Sequence, residues 1–207
     1  MSRAAISLIQ TGLRDLGYDP GKVDGLWGPK TRGALDALAV AGGSARAEVL
    51  TPSTTASIRQ GGAVVDEIIV HCSDTRPDWM ADAPLTLKRA EIDRWHKARG
   101  WSGFGYHWLI DRDGKTINGR AETAVGAHVV GHNTGTIGIC LVGGHGCAED
   151  DAFAEHFTPA QDESLRQLIQ AIGMRTPVVR VSGHNQYAAK ACPGFHVPTW
   201  FASKKGA

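Results

Sequence analysis

Apolar residues recur at helical spacing near the N-terminus, where Ile6, Ile9, Leu13 and Leu16 fall on one face of a helix that stops at Gly17. A turn through Asp19, Pro20 and Gly21 leads into VDGLWGPKTRGALDALA. There Gly28 before Pro29 marks a helix entry, and Ala34, Leu35 and Leu38 share a face. A third short helix is expected from Pro52 in TPSTTASIRQ, and Gln60 to Gly62 read as a brief flexible boundary.

Beyond that boundary the pattern changes. VVDEIIVHC is β-branched and apolar throughout, which predicts a buried strand delivering His71 at its end. A helix is expected from about Thr86 to Arg99, then a strand GYHWLID, a turn at Asp113-Gly114 and a second strand entering INGR. Thr136 to Val142 reads as a further strand. Thr158, Pro159 and Gln161 form a capping-box start for a helix that buries Leu165, Leu168, Ile169 and Ile172, and the strand PVVRVS leads to His184. Strands interspersed with long helices predict an α+β fold in which helices cover a central mixed sheet, preceded by a small three-helix domain. The domains expected are residues 1–62 and 63–207.

With 207 residues, 42% of them hydrophobic, the chain can bury a substantial core. A formal charge of +1 leaves no basic field for nucleic acid and none for anionic membranes, and no apolar stretch is long enough to cross a bilayer. MSRAAISLIQTGLRDLGYD is interrupted by Arg14 and Asp15 and lacks a signal-peptide core. The expectation is therefore a monomer made in the cytoplasm without a signal peptide and let out to its target by another factor. Four cysteines in such a chain argue against a disulfide framework. Cys72 and Cys140 read as small buried hydrophobes, with Cys72 pointing away from its neighbour His71 on a regular strand; Cys147 has no assigned role.

The candidate chemistry gathers around GHNQYAAKACPGF, where Cys192 stands eight positions after His184, with Lys190 two before the cysteine. Two imidazoles and one thiolate, counting the strand-end His71, leave one tetrahedral position of a zinc ion open, as in catalytic rather than structural sites. The H-x7-C spacing is weak alone and gains from its company: EIDRWHKARGW, GFGYHW, AVGAH and GHNTGTIGICLVGG in that order. These segments resemble the zinc-dependent N-acetylmuramoyl-L-alanine amidases of tailed phages, within the type-2 amidase and peptidoglycan-recognition family, from about Val65 to Pro198. The resemblance implies that His71, His184 and Cys192 hold one zinc ion, and that Tyr106 and Lys190 are the catalytic pair. It further implies that His128 and Asn133 line the groove for peptidoglycan.

LGYDPGKVDGLWGPKTRGAL resembles the three-helix peptidoglycan-binding module of wall hydrolases, through Asp24, Gly25, Gly28 and Thr31. It departs from that pattern between Ala39 and Val49. A helical bundle that merely packs on a catalytic domain is the alternative, since a helical pattern alone identifies no ligand. Together the two resemblances imply a peptidoglycan hydrolase. Its rivals are a non-catalytic recognition protein, which typically lacks the third ligand, and an amidase that recycles muropeptides. His96, His145, His156 and His196 have no partner pattern and are expected at the surface; His107 is expected to be structural.

Overall fold

A computed structural model describes residues 3–15, 17–34, 37 and 57–203. The chain divides into two compact units, Met1–Thr51 and Pro52–Ala207. In the first, helix α1 (Arg3–Asp15) buries Ile6 and Leu13, and α2 (residues 29–34) buries Thr31 and Ala34. Between them Gln10, only 1% exposed, fastens the connecting loop. Its Oε1 accepts from the backbone N–H groups of Asp24 and Gly25, and its Nε2 donates to Asp24 Oδ1 and Thr31 Oγ1. Gly25 is required there. Its φ of 71° is left-handed, and a Cβ would lie 2.6 Å from the carbonyl oxygen of Arg3. Of the third helix expected from Pro52, the part before Ser57 lies outside the described residues, as do Leu16, Leu35 and Leu38, while residues 57–60 are not helical and end in a strand.

The second unit opens with a correction. Gln60 to Gly62 are not a flexible boundary: β1 (Arg59–Gln60) and β2 (Ala63–Val64) form a two-residue hairpin, with Gly61 and Gly62 at φ 55° and 90°. Positive φ at both central residues matches the twist of paired strands. Gln60 is fully buried, and its side chain donates to the carbonyls of Glu122 and Thr136 while accepting from Gly135 N–H. The hairpin is thus bolted onto the loop that precedes β6.

The sheet contains β3 (Glu67–Cys72), β4 (Trp108–Ile110), β5 (Thr116–Asn118), β6 (Thr136–Leu141) and β7 (Arg180–Gly183) in the order β5-β4-β6-β3-β7. Only the β4–β5 pair is antiparallel, so the sheet is mixed as expected. Parallel strands need long crossovers, and helices supply them. α3 (Leu85–Ala98) covers one face with Leu85 and Ile92, which join Phe104 of the following loop against Leu109 and Cys140. A buried ion pair, Lys88 Nζ to Asp111 Oδ1 at 2.8 Å, ties α3 to the end of β4.

The other face carries the larger core: Ile68, Val70, Ile137, Ile139 and Leu141 meet Leu165, Ile169 and Ile172 of α5 (Pro159–Gly173). A short helix, α4 (Phe153–His156), precedes α5, and α6 (Val197–Ala202) closes this layer through Val197 and Trp200. α5 begins at the expected capping box: Thr158 Oγ1 accepts from Gln161 N–H and Gln161 Oε1 accepts from Thr158 N–H. Each fully buried aliphatic side chain on this face contributes about 1.5–3 kcal/mol.

A chain that begins at Ser57 keeps the hairpin and should unfold cooperatively. One beginning at residue 63 should melt several degrees lower, because it removes Gln60 and orphans three backbone groups at about 1–3 kcal/mol each. Thermal unfolding of the two, with Gln60→Ala in the longer one, checks this; equal melting temperatures would show that the bolt is dispensable.

Candidate metal centre and cleft

His71 stands in β3, an interior strand of the sheet, and is fully buried, so its ring nitrogens need protein partners. Parallel pairing of β3 with β7 places Val70 opposite Gly183, and His184 follows at the start of a 3₁₀ turn, His184–Gln186. His71 Nδ1 and His184 Nδ1 therefore face each other at 3.2 Å. The loop after the turn folds back through Asn185 N–H to the carbonyl of Cys192 at 2.7 Å. This brings Cys192 Sγ to 3.9 Å from His71 Nδ1, and Cys72 N–H donates to the same sulfur at 3.2 Å.

One ligand atom from each of His71, His184 and Cys192 lies within 4.8 Å of the others. With zinc–nitrogen bonds of about 2.0–2.1 Å and zinc–sulfur bonds of about 2.3 Å, the edges of a coordination tetrahedron are about 3.3 Å (N–N) and 3.6 Å (N–S). The spacings seen here are of that size, and the donor set, two imidazoles and a thiol, is one that zinc takes. Both histidines are held in the neutral, ligating form. Burial pushes the His71 imidazole well below its ordinary range, reinforced by His128, His184 and Lys190; burial and then Lys190 also lower His184.

The trio borders a cleft of about 900 Å³ lined by Tyr106, His128, Asn133, His184, Lys190 and Cys192. Tyr106 precedes β4 rather than lying within it, so the strand starts later than the sequence pattern suggests. Its ring sits 5.0 Å from that of His71, and burial raises the phenol well above its usual range, keeping it a donor. His128 is 5% exposed, with Nδ1 3.1 Å from His71 Nε2. Asn133 Oδ1 accepts from the N–H groups of His128 and Val129, which fixes the loop carrying that histidine.

A family model described as N-acetylmuramoyl-L-alanine amidase matches residues 61–195. The chain belongs to the N-acetylmuramoyl-L-alanine amidase family. A second model, described as a putative peptidoglycan binding domain, matches residues 2–38. The endolysin of Escherichia phage T7 is 41% identical over 136 residues, covering 66% of this chain and 85% of the relative. That of Enterobacteria phage T3 is 40% identical over 139 residues, covering 67% and 87%. Among solved structures, the endolysin amidase LysCS from Clostridium intestinale superposes with a TM-score of 0.53 at 29% identity, covering 72% of this chain and 85% of that one. Bumblebee PGRP-SA, at 21% identity and a TM-score of 0.57, covers 74% and 90% and shares the fold. The amidase is a peptidoglycan hydrolase, with peptidoglycan as its substrate.

Two histidines of the amidase are not the surface residues the sequence suggested. His96 is 3% exposed: its Nδ1 accepts from Gly105 N–H, and its ring packs 5.3 Å from Tyr106, forming a floor beneath that residue. His156 is half-buried against Asp151 Oδ2 at 2.7 Å. His145 lines the cleft beside Asp74 at 3.4 Å, and His196 caps α6 at the surface. His107 is structural, its Nδ1 accepting from Gly138 N–H. Cys72 and Cys140 are buried, and Cys147 packs against the larger core. No periodicity announces His96 or Gln60; their partners are backbone groups remote in sequence.

Burial pushes His96 down to about 4. The unfolded chain therefore takes up a proton near pH 6.5 that the folded chain refuses, so this contribution is complete above pH 6.5 and is lost as pH falls toward 4. Melting temperatures of the metal-free amidase should drop across that window. His96→Asn, which keeps an acceptor for Gly105 N–H without titrating, should flatten part of the drop; an unchanged slope would remove His96 from the account.

Proposed function

We propose that the amidase is a zinc-dependent endolysin that cleaves the amide bond between the lactyl group of N-acetylmuramic acid and L-alanine. The observation that carries this reading is the convergence of His71, His184 and Cys192 beside a cleft that also holds Tyr106 and Lys190. The three would hold the ion, which when bound supplies Lewis acidity that brings the pKa of water to about 7. Cys72 N–H is aimed at the Cys192 sulfur and orients it toward the two imidazoles.

The remaining side chains have roles that follow from their chemistry. Lys190 carries a compact ammonium on a flexible stem, suited to the negative charge that develops on the amide oxygen. Tyr106 keeps its phenolic proton and donates a hydrogen bond in the same space. Asn133 lines the cleft, and in this reading its amide contacts the peptide stem.

The N-terminal unit would hold the enzyme on the polymer, raising its effective concentration at an insoluble surface. That arrangement favours intact wall over free muropeptides. We infer a monomer, synthesised in the cytoplasm, that reaches the wall after another factor releases it.

Purified sacculi treated with the enzyme should release stem peptides with free N-terminal alanine and leave the glycan uncut, as read by mass spectrometry. Saccharide-linked fragments would point to a glycosidase instead. Cys192→Ser should lose most of its zinc and its hydrolysis together, because a neutral hydroxyl is a poor zinc ligand. Full activity in metal-stripped protein would overturn the zinc assignment.

Lys190→Ala and Tyr106→Phe should each lower turnover by about 10²–10³, the scale of losing one oxyanion donor at about 2.7–4 kcal/mol. Zinc content should stay near one ion per chain in both. Loss of metal in parallel with activity would make that residue structural.

A further inference from the structure

The side chain of His128 meets the metal-ligand candidate His71 on the ring edge remote from the other two ligands. Which nitrogen carries which proton follows from the far end of this contact. Thr136 Oγ1 lies 2.7 Å from the carbonyl of His132 and 3.2 Å from that of Asn133, so its hydroxyl proton is committed to a carbonyl. Toward His128 Nε2, at 3.4 Å, the same oxygen can only accept. His128 therefore carries its proton on Nε2 and offers the Nδ1 lone pair to His71 Nε2–H at 3.1 Å. His71, protonated on Nε2, is left with a free lone pair on Nδ1, the atom that faces His184 and Cys192.

The surroundings of His128 form a seat for its ring. Asn133 Oδ1 fixes the backbone from below. A Cβ on Gly138 would stand 2.7 Å from the imidazole, and one on Gly126 would stand 2.4 Å from it, so both positions are kept bare. His107 presses edge-on at 5.7 Å between ring centroids and is itself held by Gly138 N–H. A ring this enclosed has one orientation.

We infer that His128 is a positioning residue that locks His71 into the tautomer able to bind a cation. This rests on the zinc reading of the trio for its functional meaning. Ligating histidines ordinarily give their second N–H to a carboxylate, a carbonyl or water. Here a neutral imidazole, relayed to Thr136, takes that place. It orients the ligand without adding charge beside a thiolate.

Two readouts test this on the full chain. Zinc affinity, measured by competition with a chromophoric chelator, should weaken about ten- to a hundredfold in His128→Ala, the range seen when such outer partners are removed. His128→Asn, whose Oδ1 can stand in for Nδ1 as acceptor, should recover most of the loss. In metal-free protein, imidazole nitrogen NMR should show His71 as a single Nε2–H tautomer in the native sequence and as a mixture in His128→Ala. Should that variant fail to fold, Thr136→Val tests the relay from its other end and should likewise mix the His71 tautomers. Native-like zinc affinity and a single tautomer in His128→Ala would overturn the inference. So would a raised KM for a soluble muropeptide with zinc affinity unchanged, which would make His128 a substrate contact. If the native protein binds no zinc, the metal reading falls, while the tautomer measurement still decides the role of His128.

Discussion

The arrangement of the catalytic unit depends on a polar ring buried near the end of β3. His71 has no access to water, and both of its ring nitrogens find partners inside the protein. The sheet makes those partners available. β3, β6 and β7 run parallel, so the segments leaving their carboxyl ends open on the same edge. Open sheets of this kind bind ligands in the crevice outside the carboxyl ends of their strands. Here that edge receives Gly143 to Cys147 after β6, and His184 to Cys192 after β7. The cleft is a product of strand order before it is a product of any single residue.

Around this edge, side chains tie loops to loops. Gln60 bonds three backbone groups of the segments before β6, and Asn133 holds the turn that carries His128. His96 supports the Gly105 backbone beside Tyr106. Each is a buried or half-buried amide or imidazole that satisfies backbone groups elsewhere in the chain, most of them in loops. Such groups cost more when left unpaired than they contribute when paired, which makes the loops as determinate as the sheet.

What the sequence revealed divides along physical lines. The strand carrying His71, the strand through Cys140 and the capping-box helix were legible because burial imposes a local period on contiguous residues, and the structure contains all three, the first starting at Glu67, three residues later than expected. The trio was legible as ligand chemistry, supported by the resemblance of the flanking segments. Gln60 was misread as part of a linker because Gln-Gly-Gly has linker composition, while its partners at Glu122, Gly135 and Thr136 lie far along the chain. His96 was misread for a related reason: on the pattern of α3 it is one polar residue among several, and only the return of Gly105 buries it. Side chains that serve distant backbone leave no periodic trace.

The topology of the sheet also bears on how the chain reaches this state. Strand β3 pairs with neighbours that follow it only after a long crossover, and all of β6 is buried. Such non-local pairings are reached slowly, since loop closure comes before any contact rewards it. Until then TIGICL and EIIVHC are apolar segments with open hydrogen-bonding edges, a hazard for intermolecular association. α5, which has its own capping box and can form early from local signals, presents the apolar face on which those strands can collect.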